Sequence, residues 1–213
     1  MNKYLLNSLI IFFITVMAFS FLWNNIRLIQ EGYILSWNYS PYLVMDLLLL
    51  GILIPIVEEV IYRGHISYRS LFFGKVQVLL SIGYIYIIGS RYITARSTLL
   101  TIYESIAIID SIILASSVGT ILYVFWHYWY FQKKGQRLAP TLSIVLPSIF
   151  FILIHAGFWI ATYPSSYITS IVLMAGTLSL VTLRWGLVES IVIHVLINSS
   201  TVFLVLYSGG YTL

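Results

Sequence analysis

The feature that most constrains this chain is the recurrence of apolar runs long enough to cross a bilayer. From Tyr4 to Trp23 no side chain is charged, and further runs with few charges lie near 42–62, 75–90, 99–126, 142–160, 167–183 and 186–207. A spanning helix needs about 20 mostly apolar residues, so the spacing predicts an all-α bundle of about seven spans. Composition excludes the soluble alternatives. Charged residues make up 8% of the 213 positions and hydrophobic ones 60%, against about a quarter charged in a soluble domain. The apolar runs are too long for barrel strands and lack their two-residue alternation. The net charge of +4 comes with no basic cluster interleaved with stacking aromatics, so nucleic acid is excluded as a partner. Without cysteine, disulfides, thiolate metal sites and cysteine nucleophiles are all absent.

Basic residues orient the bundle. With seven spans, Lys3, Arg63, Arg69, Lys75, Lys133, Lys134, Arg137 and Arg184 share one side, leaving Arg27, Arg91 and Arg96 on the other. That asymmetry places the N-terminus in the cytoplasm. Ala18-Phe19-Ser20 is a weak cleavage pattern, but the apolar run continues through Trp23, so the first span reads as an uncleaved anchor. Neither a repeat nor a linker divides residues 1–213, which are read as a single transmembrane domain. Lipid is the one partner the composition demands, and oligomeric state is not legible.

An ionisable group in the hydrocarbon region costs several kcal/mol and marks a candidate site. Asp46, Glu58, Glu59, Glu104, Asp110, His155, Glu189 and His194 all lie inside apolar runs. In Glu-Glu-Val-Ile-Tyr-Arg-Gly, Arg63 lies one helical turn from Glu59, so these two can neutralise each other and support the helix, while Glu58 faces elsewhere. Pro55 has no N–H for the carbonyl of Gly51, which predicts a kink ahead of the acidic pair. His155 follows Phe151 by four residues in the fifth run. His194 and Asn198 are one turn apart on the last, with Ser190 and Gly186 extending their stripe. Each feature has a bland reading: an interfacial ion pair, a packing histidine, a small-residue helix contact. Together they supply a base, a partner for a water and two oxyanion donors, a hydrolytic set without serine or cysteine.

These residues resemble the CPBP intramembrane protease family, which includes the type II CAAX prenyl endopeptidases and bacteriocin-processing or self-immunity proteins. Its three motifs stand in order as Glu58-Glu59-x-x-x-Arg63, Phe151-x-x-x-His155 and His194-x-x-x-Asn198. Gly64 also fits, as does Arg184-Trp185-Gly186 ahead of the last motif. The resemblance covers about 42–75 and 140–207. It implies an endopeptidase in which Glu58, assisted by His155, activates water, while His194 and Asn198 stabilise the oxyanion and Glu59 with Arg63 supports the acidic helix. It also implies a prokaryotic cell membrane and a peptide or protein substrate, with lipidated and leader or bacteriocin-type peptides as candidates. No cofactor is firmly implied. Zinc on Glu58, His155 and His194 stays open, since the ligand types suit it but no His-Glu-x-x-His is present. The departure from the family is the stretch at about 75–131, two extra apolar runs that read as an inserted helical hairpin.

Depth adds a requirement. His155 lies about 20 Å from one face and Glu58 about 24 Å from the other, in a core of roughly 30 Å. Their side chains can meet only if the second helix continues past Gly64 toward Leu71, with Arg63 inside a cavity open to the cytoplasm. The alternative function is a non-catalytic immunity protein or a proton-coupled transporter, favoured by Glu104, Asp110 and Glu189, which the peptidase scheme leaves unused. His65 and His127, near helix ends, read as interfacial packing.

Overall fold

The computed structural model describes residues 3–30, 45, 47–67, 71–99, 106–132, 140–159 and 165–205, and every element among them is helical. Seven rods follow in order: α1 (Lys3–Gln30); α2, a π-helical stretch Leu47–Leu53 running into the α-helix Ile54–Ser67; and α3 (Leu71–Leu99). Then come α4 (Ile106–Trp126), which ends in a π-helical stretch His127–Gln132, α5 (Pro140–Trp159), α6 (Ser165–Arg184) and α7 (Leu187–Val205). Among the described residues, four segments are long and apolar enough to cross a membrane: Tyr4–Arg27, Asp110–Trp129, Tyr167–Arg184 and Leu187–Leu204. Phe72–Ile87 and Ile144–His155 are shorter apolar stretches. Leu5, Phe12, Phe19 and Trp23 on α1 and Leu114, Leu122 and Phe125 on α4 are exposed, as suits a helical membrane bundle facing lipid.

Helix ends depart from the apolar runs in two places. The apolar run near 75–90 ends before its helix does, since α3 continues to Leu99, and α1 continues beyond Trp23 to Gln30. Falling hydropathy does not stop a helix; a breaker or a cap does, and no proline lies in either segment. Asp46, Arg69, Glu104, Lys133, Lys134 and Arg137 lie outside the described residues.

The chain falls into two compact units, 1–59 with 163–213 and 60–162. In the first, α1 packs on α6 and α7, α6 packs on α7, and the π-helical part of α2 lies against α7. Met17, Ile171, Met174 and Leu178 are buried between them. Hydrogen bonds supplement the apolar packing, because helices in lipid gain little from hydrophobic burial. Asn24 Nδ2 donates to Ser170 Oγ at 2.7 Å and to Ser20 O at 2.9 Å, and Asn25 Nδ2 donates to Thr201 Oγ1 at 3.0 Å. Gly186 joins α6 to α7 at φ +135°, a conformation that favours glycine, and its N–H reaches back to Val181 O. Glu189 is exposed, with its carboxylate beside Gly186.

In the second unit α4 packs against α3 and α5. The α-helix of α2 continues past Gly64 to Ser67, as the depth requirement demands, and Arg63 is 1% exposed. Gly64 is needed because a Cβ there would meet the ring of Phe73 at 2.6 Å. Gln77, also on α3, donates to Val60 O at 2.8 Å.

Asn24→Ala is expected to lower stability by about 1 kcal/mol in mixed-micelle unfolding, through loss of the α1–α6 bond. Ser8→Ala, whose hydroxyl bonds only its own helix at Tyr4 O, is expected to change nothing.

Candidate active site

The acidic pair of the first motif and the histidine of the last meet within the first unit. Glu58 and Glu59 are adjacent on α2 and diverge by about 100°, yet both reach the imidazole of His194, because its two nitrogens point in different directions. Glu59 Oε1 lies 2.9 Å from His194 Nδ1, and Glu58 Oε2 lies 3.5 Å from His194 Nε2. Glu59 accepts a second bond on Oε2, from Ser190 Oγ at 2.5 Å. Glu58 is 2% exposed, and Glu59, Ser190 and His194 are fully buried. Such burial is tolerable only where each charge or polar atom meets a partner. Ser190 and His194 occupy successive turns of α7, so one helix face delivers both contacts to Glu59.

The carboxylate acceptor fixes His194. Glu59 Oε1 has no proton to give when ionised, so Nδ1 carries the hydrogen and Nε2 is the nitrogen turned toward Glu58.

The start of α2 explains how the acidic pair is held against α7. In an α-turn the N–H of residue 55 would bond to Gly51 O, and in a π-turn to Leu50 O; Pro55 supplies neither. Side chains of α7 replace it: Ser199 Oγ donates to Gly51 O at 3.2 Å and Asn198 Nδ2 to Leu50 O at 3.4 Å. Gly51 permits this approach, since a Cβ there would lie 3.3 Å from Ser199 Cα. The expected disturbance at Pro55 is thus a π-helical stretch ending one residue before Ile54, with its carbonyls satisfied from the helix that carries His194. Asn198 commits one amide hydrogen to this tether and has a second.

The remaining motif residues lie in the second unit. Phe151 is fully buried, and the Arg63 guanidinium sits 4.9 Å from its ring centroid. The same ring packs 4.2 Å from His155 and 5.4 Å from Tyr62, centroid to centroid. Phe151 therefore seats a buried cation on its π face. His155 is half-buried, and its Nδ1 donates to Phe151 O at 2.7 Å, since a carbonyl oxygen can only accept. In the neutral ring Nε2 then holds the lone pair.

Glu58, Glu59 and His194 are thus brought together, with Asn198 one turn further along α7, while Arg63 joins Phe151 and His155. The contacts that the sequence reading missed are those of Ser190, Ser199 and the Phe151 ring. Two had a signal: Ser190 stands four residues before His194, and Pro55 leaves a carbonyl to be satisfied. His65 and His127 are buried. Tyr123 Oη lies 3.1 Å from His65 Nε2, and the two imidazoles are 4.7 Å apart. Asp110 is half-buried in the second turn of α4.

Zinc would need Glu58, His155 and His194 together. Among the described residues no group of three His, Asp or Glu side chains is disposed to hold a metal ion.

Phe151→Leu keeps most of the apolar volume but removes the seat of Arg63. It is expected to cost about 2 kcal/mol in mixed-micelle unfolding, whereas Phe151→Tyr, which keeps a π face, is expected to cost less.

The protein-family model for type II CAAX prenyl endopeptidase Rce1-like proteins matches residues 40–200. Comparison with curated proteins and with solved structures finds no match. The chain belongs to the Rce1-like family, a family of CAAX-type intramembrane proteases.

Proposed function

We propose that this member of the Rce1-like family is an endopeptidase that hydrolyses a peptide bond by direct attack of water, with Glu58 as the base. Glu58, assisted by His155, takes a proton from water as the oxygen adds to the scissile carbonyl carbon. The new oxyanion is met by His194 and by the second amide hydrogen of Asn198. Collapse of the tetrahedral intermediate breaks the C–N bond, and the proton held by Glu58 passes to the leaving amine. Because Nδ1–H of His194 serves Glu59, donation from Nε2 requires an imidazolium, whose charge the Glu59 carboxylate balances. Glu59 and Arg63 support the acidic helix.

The observation that carries this reading is the buried set Glu58–His194–Glu59, in which one carboxylate secures the ring and the other faces its second nitrogen. Membership of a family named for prenyl endopeptidases favours lipidated peptides as substrates; leader and bacteriocin-type peptides are the competing class.

The test uses purified protein in liposomes with a panel of prenylated, unprenylated and leader-type peptides. Cleavage by the parent is expected, with Glu58→Gln and His155→Ala each lowering kcat by at least about 100-fold while remaining folded. Cleavage that survives both substitutions would refute the mechanism, and a folded parent that cleaves none of the panel would favour transport or immunity. Zinc measured in the same preparation is expected to be substoichiometric at full activity; loss of activity on chelation, restored by zinc, would contradict a water activated by glutamate alone.

A further inference from the structure

Ser190 has no part in the three motifs, yet it makes the shortest of the buried contacts around Glu59. Its hydroxyl has one hydrogen and two acceptors within reach, Glu59 Oε2 at 2.5 Å and Leu178 O at 3.2 Å. A short O–H···O contact to a carboxylate is the stronger bond, so the hydrogen belongs to Glu59. Glu59 is then held through both oxygens, by His194 on Oε1 and by Ser190 on Oε2. With one oxygen held, a glutamate can still turn about its last side-chain torsion, which has a broad profile. With both held, the carboxylate plane is fixed, and with it the direction in which His194 aims Nε2 at Glu58.

We propose that Ser190 is a positioning residue of the active site: acting through Glu59, it sets the orientation of the His194 imidazole relative to Glu58. The proposal rests on the peptidase reading for its effect on turnover, but its structural half stands without it. Ser190 reaches this place because α7 begins immediately after Gly186, which puts residue 190 in the first turn and residue 194 one turn on along the same face. The neighbouring acid Glu189 is exposed and points away from this cluster to Gly186. The hydroxyl, not the carboxylate beside it in sequence, supports the motif.

The experiment pairs kinetics with a readout that does not need turnover. Full-length protein carrying 15N-labelled histidine gives one imidazole signal set for each of its four histidines, and His194→Gln identifies that of His194. Ser190→Ala is expected to shift the His194 signals and to lower kcat by about 10- to 100-fold with KM little changed. Ser190→Thr, which keeps the hydroxyl, should restore both. If Ser190→Ala does not fold, Ser190→Cys, similar in shape but a weak donor, takes its place and should fall between the parent and inactivity. Parental turnover with unchanged His194 signals in Ser190→Ala would overturn the proposal, as would a loss of turnover that leaves those signals unmoved. A parent that cleaves no peptide would defeat the peptidase reading, while the shift or constancy of the His194 signals would still decide the role of Ser190.

Discussion

The contact between Glu59 and His194 is the constraint around which the first unit is built. A carboxylate and an imidazole, both wholly buried, are tolerable in an apolar bundle only if their polar atoms are matched. The match needs α2 and α7 in fixed register, and the structure supplies that register twice. Ser190 and His194 hold the glutamate from successive turns of α7, and one turn further on, Asn198 and Ser199 donate to carbonyls at the start of α2. Shift either helix by one residue and both sets of bonds are lost.

Pro55 is central to that arrangement. By withholding an N–H it leaves a backbone carbonyl that lipid cannot satisfy, and the carbonyls of Leu50 and Gly51 become anchoring points for the neighbouring helix. The break lies three residues ahead of Glu58, close enough to fix where the acidic pair begins. A feature that would weaken an isolated helix therefore orients the helix that carries Glu58 and Glu59. On the other side of the acidic pair, Gly64 lets Phe73 and Gln77 of α3 approach, and the buried Arg63 rests on Phe151. The motif helix is specified by the residues flanking its glutamates as much as by the glutamates.

The bundle, the three motif helices and the passage of α2 beyond Gly64 were legible in the sequence, because each follows from apolar length, helical spacing and the depth of the bilayer. Spacing along one helix also pointed to Glu59 and Arg63 as turn-neighbours. It could not show that Glu59 is held by Ser190 and His194 of another helix, since the pairing depends on which faces of α2 and α7 meet. The π-helical stretch was legible only as a disturbance at Pro55, because the choice between a kink and a wider turn is made by the donors that replace the missing N–H. The extent of α3 beyond its apolar run has a simpler reason: hydropathy reports where lipid would end, and helices end at breakers and caps. Phe151 stood in the motif from the start, but its use as the seat of a cation emerges only when Arg63 is placed over its ring.

Two adjacent glutamates meet His194 in different ways, Glu59 bonding its Nδ1 and Glu58 facing its Nε2. The most direct measurement is the free energy of unfolding of Glu58→Gln and Glu59→Gln side by side in mixed micelles. Glu59→Gln is expected to be clearly destabilised, because it weakens two buried bonds, and Glu58→Gln to be as stable as the parent or more so. A destabilised Glu58→Gln beside an unaffected Glu59→Gln would contradict this division between the two glutamates.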